Sequence, residues 1–371
     1  MSDHVEKLHG QLIDRMTACG SLRTEPWKRA AQAVPRHEFL RGGFFRRVPG
    51  TAAWTPVLEG EEGWLTGCYA DESLVTQIAG TIVPTDIHGE IMREPTSSST
   101  LPSLVLRMLE ELQTEPDAKV LEIGTGTGYS TAVLCARLGE EHVTSIEYDR
   151  DLAVRARNAL GRLQMYPTLI TGDGLLGYEG GAPYDRIIAT CGVREIPAAW
   201  IEQTRPGGLI LATVGGWLGS SELARLTVHE DGTASGPLLA GAVSFMLARP
   251  QMARTLGLLP DLNTGREREA VIGADVLDDW TSRFVVQAAV PSAQRLTLEQ
   301  DGRVEHVLVD AESGSWALVY EDGAHWIVRH NDNTDLWGLV EEQLGRWRVA
   351  GAPALTEFTV HVTPNGQTIS W

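Results

Sequence analysis

Three glycines and two spaced acids mark the part of this sequence best suited to hold a ligand. The run Val120-Leu-Glu-Ile-Gly-Thr-Gly-Thr-Gly-Tyr129 closes an apolar strand and opens a helix. Gly124, Gly126 and Gly128 let the backbone turn sharply and approach a ligand that a Cβ would hold off. The helix start beyond them offers unpaired N–H groups. The spacing separates candidate ligands. A dinucleotide fingerprint asks for glycine at the sixth position, where this chain has Tyr129. A phosphate-cradling loop asks for Gly-Lys-Ser/Thr, which does not follow. Glu122, just ahead of the turn, favours a zwitterionic or cationic ligand over a pyrophosphate. Glu147 ends the next strand and suits ribose hydroxyls; Tyr148 follows it. Asp173, in Thr171-Gly-Asp-Gly174, ends the third strand and suits an exocyclic adenine amine. All three acids fall at carboxyl ends of strands, where open α/β sheets place their ligands. A lone glycine-rich turn is often only a loop. With its acids, the set Glu122, Gly124, Thr125, Gly126, Gly128, Glu147, Tyr148, Asp173 and Gly174 points to S-adenosylmethionine.

These residues need a scaffold, and the alternation around them predicts one. Short apolar strands at 120–123, 143–147, 168–171, 185–190 and 209–214 alternate with helices over 129–138 and 149–163. That is the pattern of an α/β, Rossmann-like fold with a mostly parallel sheet. Ahead of it, Val5, Leu8, Leu12, Ile13 and Met16 recur at helical spacing, followed by loops with isolated tryptophans. Beyond residue 250 the style changes to a smaller α+β region holding six of the eleven tryptophans. Asp301-Gly302, Asp322-Gly323 and Asn365-Gly366 read as hairpin turns there. Leu336, Leu339, Val340, Leu344 and Trp347 share one helix face. The expected organisation is a 1–96 segment contributing to the substrate site, a 97–250 methyltransferase core and a 251–371 α+β domain.

Composition narrows the partners. The formal net charge is −18, which disfavours nucleic acid and anionic membranes as partners. No uncharged apolar run is long enough to span a bilayer, and the first residues do not read as a secretory signal. Four well-separated cysteines without a CxxC pair argue against a disulfide framework and a thiolate metal site. A cytoplasmic enzyme without a metal is expected.

The motifs resemble the protein L-isoaspartyl O-methyltransferase family over roughly residues 1–250. Ala33-Val-Pro-Arg-His-Glu-Phe39 is similar to its Val-Pro-Arg-x-x-Phe signature, and Tyr69-Ala-Asp71 with Leu74 to its Tyr-x-Asp-x-x-Leu segment. Val120–Gly128 matches its cofactor turn; Tyr184–Ile188 and Pro206–Leu211 match two later core strands. The resemblance implies methyl transfer to a carboxylate, which is already ionised at neutral pH because an aspartate pKa lies near ~4. No general base is then required.

The chain departs from that family at one informative place. Where repair members carry a Thr-Ile-Ser-Gln-Pro-like substrate segment, this chain has Thr96-Ser-Ser-Ser-Thr-Leu-Pro102 after an inserted Pro84–Pro95. Ser97, Ser98, Ser99 and Thr100 are expected to hold the acceptor carboxylate, and Asp71 to orient the substrate backbone. The tryptophan-rich extension and Ser-Leu-Val-Thr-Gln77 resemble the subgroup that accompanies ATP-grasp enzymes in ribosomal peptide maturation. That resemblance implies methylation of an L-aspartate in a macrocyclised precursor peptide (a graspetide), with closure of the ester to an aspartimide. It also implies association with the ATP-grasp enzyme. The alternative it leaves open is repair of isoaspartyl damage. Cys191 reads as a structural thiol, His37 as a hydrogen-bonding residue and the late tryptophans as core.

Overall fold

A computed structural model describes residues 2–300 and 302–371. They fold into two compact units. The first takes Met1–Cys191, Pro197–Leu211 and Thr227–Gly232; the second takes Gly192–Ile196, Ala212–Leu226 and Thr233–Trp371. The N-terminal segment therefore shares a unit with the cofactor core, and the division falls neither at 96 nor at 250. The physical reason is that the chain leaves the first unit along long strands rather than through a linker.

The first unit begins with helices α1 (Ser2–Ala18) and α2 (Glu25–Ala33). Leu12, Ile13 and Met16 of α1 are buried, as their spacing requires. Strands β1 (Phe44–Arg47) and β2 (Trp54–Val57), helix α3 (Trp64–Cys68), and strands β3 (Leu74–Ile78) and β4 (Pro95–Ser99) follow. These strands form a small sheet in the order β2-β1-β3-β4. Helix α4 (Pro102–Glu111) leads to the alternating core. That core is β5 (Val120–Ile123), α5 (Tyr129–Leu138), β6 (Val143–Glu147), α6 (Arg150–Arg162), β7 (Thr168–Thr171), β8 (Tyr184–Val193), α7 (Ala198–Glu202) and β9 (Thr204–Gly215). Its strands are ordered β7-β6-β5-β8-β9, and β5, β6, β7 and β8 pair in parallel. Every residue of β5 and β6 is buried, as expected of central strands covered on both faces. Asp149 caps α6 by accepting from the Asp151 and Leu152 N–H groups.

The second unit contains β10 (Ser221–Val228), β11 (Ala234–Leu239), β12 (Arg266–Glu269), α8 (Trp280–Gln287), β13 (Ala293–Gln300), β14 (Arg303–Asp310), β15 (Ser315–Asp322), β16 (His325–His330), α9 (Leu336–Val349), β17 (Thr359–Thr363) and β18 (Gly366–Ser370). β12-β16-β15-β14-β13 form an antiparallel sheet, and β10, β11, β17 and β18 lie side by side in that order. The expected hairpins are present, but two turn one residue away from the predicted dipeptides. Asp322 pairs with His325, so Gly323 and Ala324 make the turn. Thr363 pairs with Gly366, so Pro364 and Asn365 make the other. Asp301, of the first hairpin signal, lies outside the described residues. Two of the six late tryptophans are core: Trp316 packs with Val307, Val309, Leu318 and Tyr320, and Trp337 is fully buried; Trp280, Trp326 and Trp347 are half-buried and Trp371 is exposed. Among the described residues no helix is long and apolar enough to cross a membrane.

Candidate active site

The glycine turn is held from below. The Gly124 and Thr125 N–H groups both donate to the Ile146 carbonyl, at 2.8 and 3.2 Å. All three glycines have positive φ, which L side chains rarely adopt. What a Cβ would meet differs among them. At Gly124 it would lie 2.9 Å from Thr190 Oγ1, and at Gly128 it would lie 3.4 Å from the Ala156 Cβ. At Gly126 its nearest neighbour would be the Ser98 carbonyl oxygen at 3.8 Å. Gly124 and Gly128 therefore serve packing. Gly126 alone keeps an open cradle, and it lies beside β4.

Glu147 organises that cradle. Its carboxylate is 8 % exposed; Oε2 accepts from the Gly126 N–H at 2.8 Å and Oε1 from the Asp149 N–H at 2.9 Å. Its place at the end of β6, beside the open glycine, suits ribose hydroxyls. Asp173 Oδ1 accepts from the Leu175 N–H at 2.9 Å, fixing the loop after β7. Gly174 presses on Ile123, where a Cβ would lie 2.5 Å from Cγ2. Its carbonyl accepts from the buried Trp200 Nε1 at 2.8 Å. Tyr148, next in the chain after Glu147, is 50 % exposed. The open glycine, Glu147 at the end of β6 and the ordered Asp173 fit S-adenosylmethionine.

Two expected ligands turn inward instead. Glu122 has no exposure. Its carboxylate accepts from the Ser130 and Thr131 hydroxyls at 2.5 Å each and from Ser145 Oγ at 2.7 Å. It ties β5 to α5 and β6 and does not face a ligand. Thr125 is buried as well, with its hydroxyl 2.6 Å from Ser145 Oγ. The position of Glu122 explains its inward turn: it lies within β5, a central strand buried along its whole length, so its side chain is enclosed on either face.

Burial raises the Glu122 pKa above the usual carboxylate range, against the pull of its three hydroxyl donors. For a carboxyl raised on folding, the stabilising contribution is present at low pH and lost as pH climbs through its folded value. Glu122→Gln cannot ionise. Its stability relative to wild type should therefore improve steadily as pH rises above the ordinary carboxylate range. Denaturant unfolding of both proteins over a pH series checks this; a pH-independent difference would refute it.

The hydroxyl run divides by strand alternation. Ser97 and Ser99 are buried. Ser97 Oγ accepts from Thr76 Oγ1 at 3.2 Å, and Ser99 Oγ accepts from Arg36 Nε at 3.4 Å. Both are therefore structural, not substrate-facing. Ser98 and Thr100 keep partial exposure, and the Ser98 backbone runs beside Gly126. Asp71 is also reassigned: its Oδ1 accepts from the Ser103 N–H at 2.9 Å, capping α4 from another segment. Ser73 Oγ helps by accepting from the Leu101 N–H at 3.1 Å.

Two positioning residues carry more than their sequence signals suggested. Gln77, 1 % exposed, accepts from Thr96 Oγ1 at 2.8 Å and donates to Asp149 Oδ2 at 3.1 Å. It thereby joins β4 to the helix start beside Glu147. Arg36, fully buried, donates to carbonyls of residues 68, 70, 72, 99 and 100. Its motif was visible in sequence; its role as a hub was not. His37 Nδ1 lies 2.7 Å from the Tyr69 hydroxyl. Burial pushes the Cys191 thiol up to about 12, which leaves it protonated and unreactive at neutral pH.

Comparison with known proteins accords with this geometry. The family model described as Protein-L-isoaspartate(D-aspartate) O-methyltransferase (PCMT) matches residues 73–245. A protein-L-isoaspartate O-methyltransferase from Staphylothermus marinus is 32 % identical over 223 residues, 58 % of this chain and 83 % of the relative. One from Bradyrhizobium sp. is 38 % identical over 156 residues, 42 % of this chain and 71 % of the relative. A solved structure bearing the same protein name aligns at a TM-score of 0.57 and 22 % identity, over 98 % of this chain and 99 % of that one. This last likeness concerns fold, and it spans the C-terminal region too. On sequence, over most of a relative's length, this chain belongs to the protein-L-isoaspartate O-methyltransferase family, and it is a carboxyl O-methyltransferase that uses S-adenosylmethionine.

Proposed function

We propose that the acceptor is an isoaspartyl carboxylate within a polypeptide, so that the chain acts as a protein L-isoaspartate O-methyltransferase. The names of the relatives support this substrate. The observation that carries the reading is the approach of β4 to the cofactor turn, with the Ser98 carbonyl bordering the open position at Gly126. An acceptor chain lying along β4 would bring its carboxylate to the donor's side of that turn.

When bound, S-adenosylmethionine supplies a methyl group on a cationic sulfur, open to in-line displacement by a carboxylate oxygen. Glu147, Asp173 and the Gly126 backbone hold it. The chain's remaining tasks are orientation and exclusion of water. The Ser98 and Thr100 hydroxyls donate to one carboxylate oxygen and leave the other to react. Ser98→Ala should lower kcat about tenfold, the lower end of the scale for one hydrogen bond to a charged group, with donor affinity unchanged. Equal losses in kcat and donor affinity would remove Ser98 from the acceptor site.

A second reading is favoured by the departure at residues 96–102, where Thr100 and Leu101 replace the serine and glutamine expected of repair members. In that reading the acceptor is an L-aspartate of a macrocyclised precursor peptide, made by an ATP-grasp partner in the cytoplasm. The methyl ester then loses methanol as the next amide nitrogen closes the imide. Residues 251–371 would recognise the peptide. Incubating the enzyme with an L-isoaspartyl peptide and with an L-aspartyl macrocycle separates the two. Methylation of the first supports repair. Methyl gain followed by methanol loss on the second alone supports tailoring.

A further inference from the structure

The second unit contains a cavity of about 560 Å³, bounded by the end of α8, by α9 and by β18. Every residue lining it belongs to that unit, and neither the glycine turn nor β4 contributes. Phe284, Leu339 and Ile369 give it apolar walls. Three features describe what it would take.

The first is a bare acceptor. Gln287 is 7 % exposed. Its Nε2 donates to the Ser220 carbonyl at 2.8 Å, but its buried Oε1 has no hydrogen-bond partner. An orphaned buried acceptor is costly, so this one calls for an N–H or O–H donor. Gly216 in the wall keeps it approachable, since a Cβ there would lie 2.7 Å from that oxygen.

The second feature is a strand edge. β18 ends its row of strands, and among the described residues no strand pairs with its outer side. Gln367, Thr368 and Ile369 of β18 line the cavity. An edge strand presents alternating N–H donors and C=O acceptors. The third feature is balanced charge. Arg346, steadied by Gln343 Oε1 at 2.6 Å, lines the cavity together with Glu342. Charges of both signs suit neither a phosphate nor a cation. They suit a ligand that is neutral overall and carries donors and acceptors in alternation, as an extended polypeptide does.

We propose that this cleft docks an extended segment of the polypeptide substrate outside the residue that is methylated. The inference rests on the reading that the acceptor is a polypeptide. The test compares full-length wild type with Arg346→Glu and Leu339→Asp. The probes are a long L-isoaspartyl peptide and the same peptide cut back to the neighbours of its isoaspartyl residue. Methyl transfer is measured, and so is fluorescence-anisotropy binding of the labelled long peptide in the presence of S-adenosylhomocysteine. Thermal melting and S-adenosylmethionine affinity confirm folding of the variants. The expected result is a roughly tenfold rise in KM and Kd for the long peptide only, with kcat and all short-peptide parameters unchanged. Equal effects on both peptides, or none on either, overturn the docking site. If wild type methylates neither peptide, the isoaspartyl reading fails, while cleft-dependent binding of the long peptide still decides the docking site.

Discussion

Replacing Arg36 with leucine should lower the first thermal unfolding midpoint by roughly 10 °C, taking 2–4 °C per kcal/mol for a unit of this size. Six acceptors converge on this guanidinium: Ser99 Oγ at 3.4 Å and five carbonyls between 2.9 and 3.2 Å. None is a carboxylate. Burial lowers the Arg36 pKa, yet arginine stays charged in proteins, and delocalised charge shared among carbonyl dipoles is what makes its burial tolerable. Leucine fills part of the volume but leaves several interior carbonyls without donors, at about 1–3 kcal/mol each before relaxation. A net loss of about 3–5 kcal/mol follows. Lysine restores charge without the planar fork and should recover less than half. Calorimetry on Arg36→Leu and Arg36→Lys decides; a shift of only one or two degrees for leucine would show the carbonyls to be satisfied by other means.

Glu147→Ala should weaken S-adenosylmethionine binding about 100-fold, equivalent to about 2.7 kcal/mol. The carboxylate holds the Gly126 N–H and the Asp149 N–H at once, so alanine removes ligand contacts and also loosens the turn that shapes the cradle. Glu147→Gln keeps one oxygen acceptor and should lose about tenfold. Asp173→Ala should fall between them, because Asp173 braces its loop through one backbone N–H. Isothermal titration measures all three. If Glu147→Ala bound the donor like wild type, the ribose assignment would be withdrawn.

Much of this was legible beforehand because it depends on short-range rules. The strands 120–123, 143–147 and 168–171 and the helix 129–138 form as expected, since short strand-forming runs alternate with helical spacing and the glycine turn punctuates them. The glycine turn, and the places of Glu147 at the end of β6 and Asp173 just past β7, were legible for the same reason. Side-chain facing was less so. Glu122 and Thr125 look like ligands because they neighbour the turn, yet central-strand burial and local hydroxyls draw them inside. Ser97 and Ser99 were indistinguishable from Ser98 until β4 had a partner and hence a face. Gln77 and Arg36 act through residues distant in sequence, and no local pattern reports a bond from 77 to 149 or from 36 to 99. The hairpins were visible, but their turning pair depends on register, which the dipeptide alone does not set.

The bridge formed by Gln77 has a thermodynamic corollary. One end of this amide grips the cap of α6, two positions past Glu147, and the other grips Thr96 of β4, the strand on which we propose the acceptor rests. Ordering either end restrains the other, so the two substrates should bind with positive cooperativity. Reciprocity then requires the nucleoside to tighten the peptide by the same factor that the peptide tightens the nucleoside.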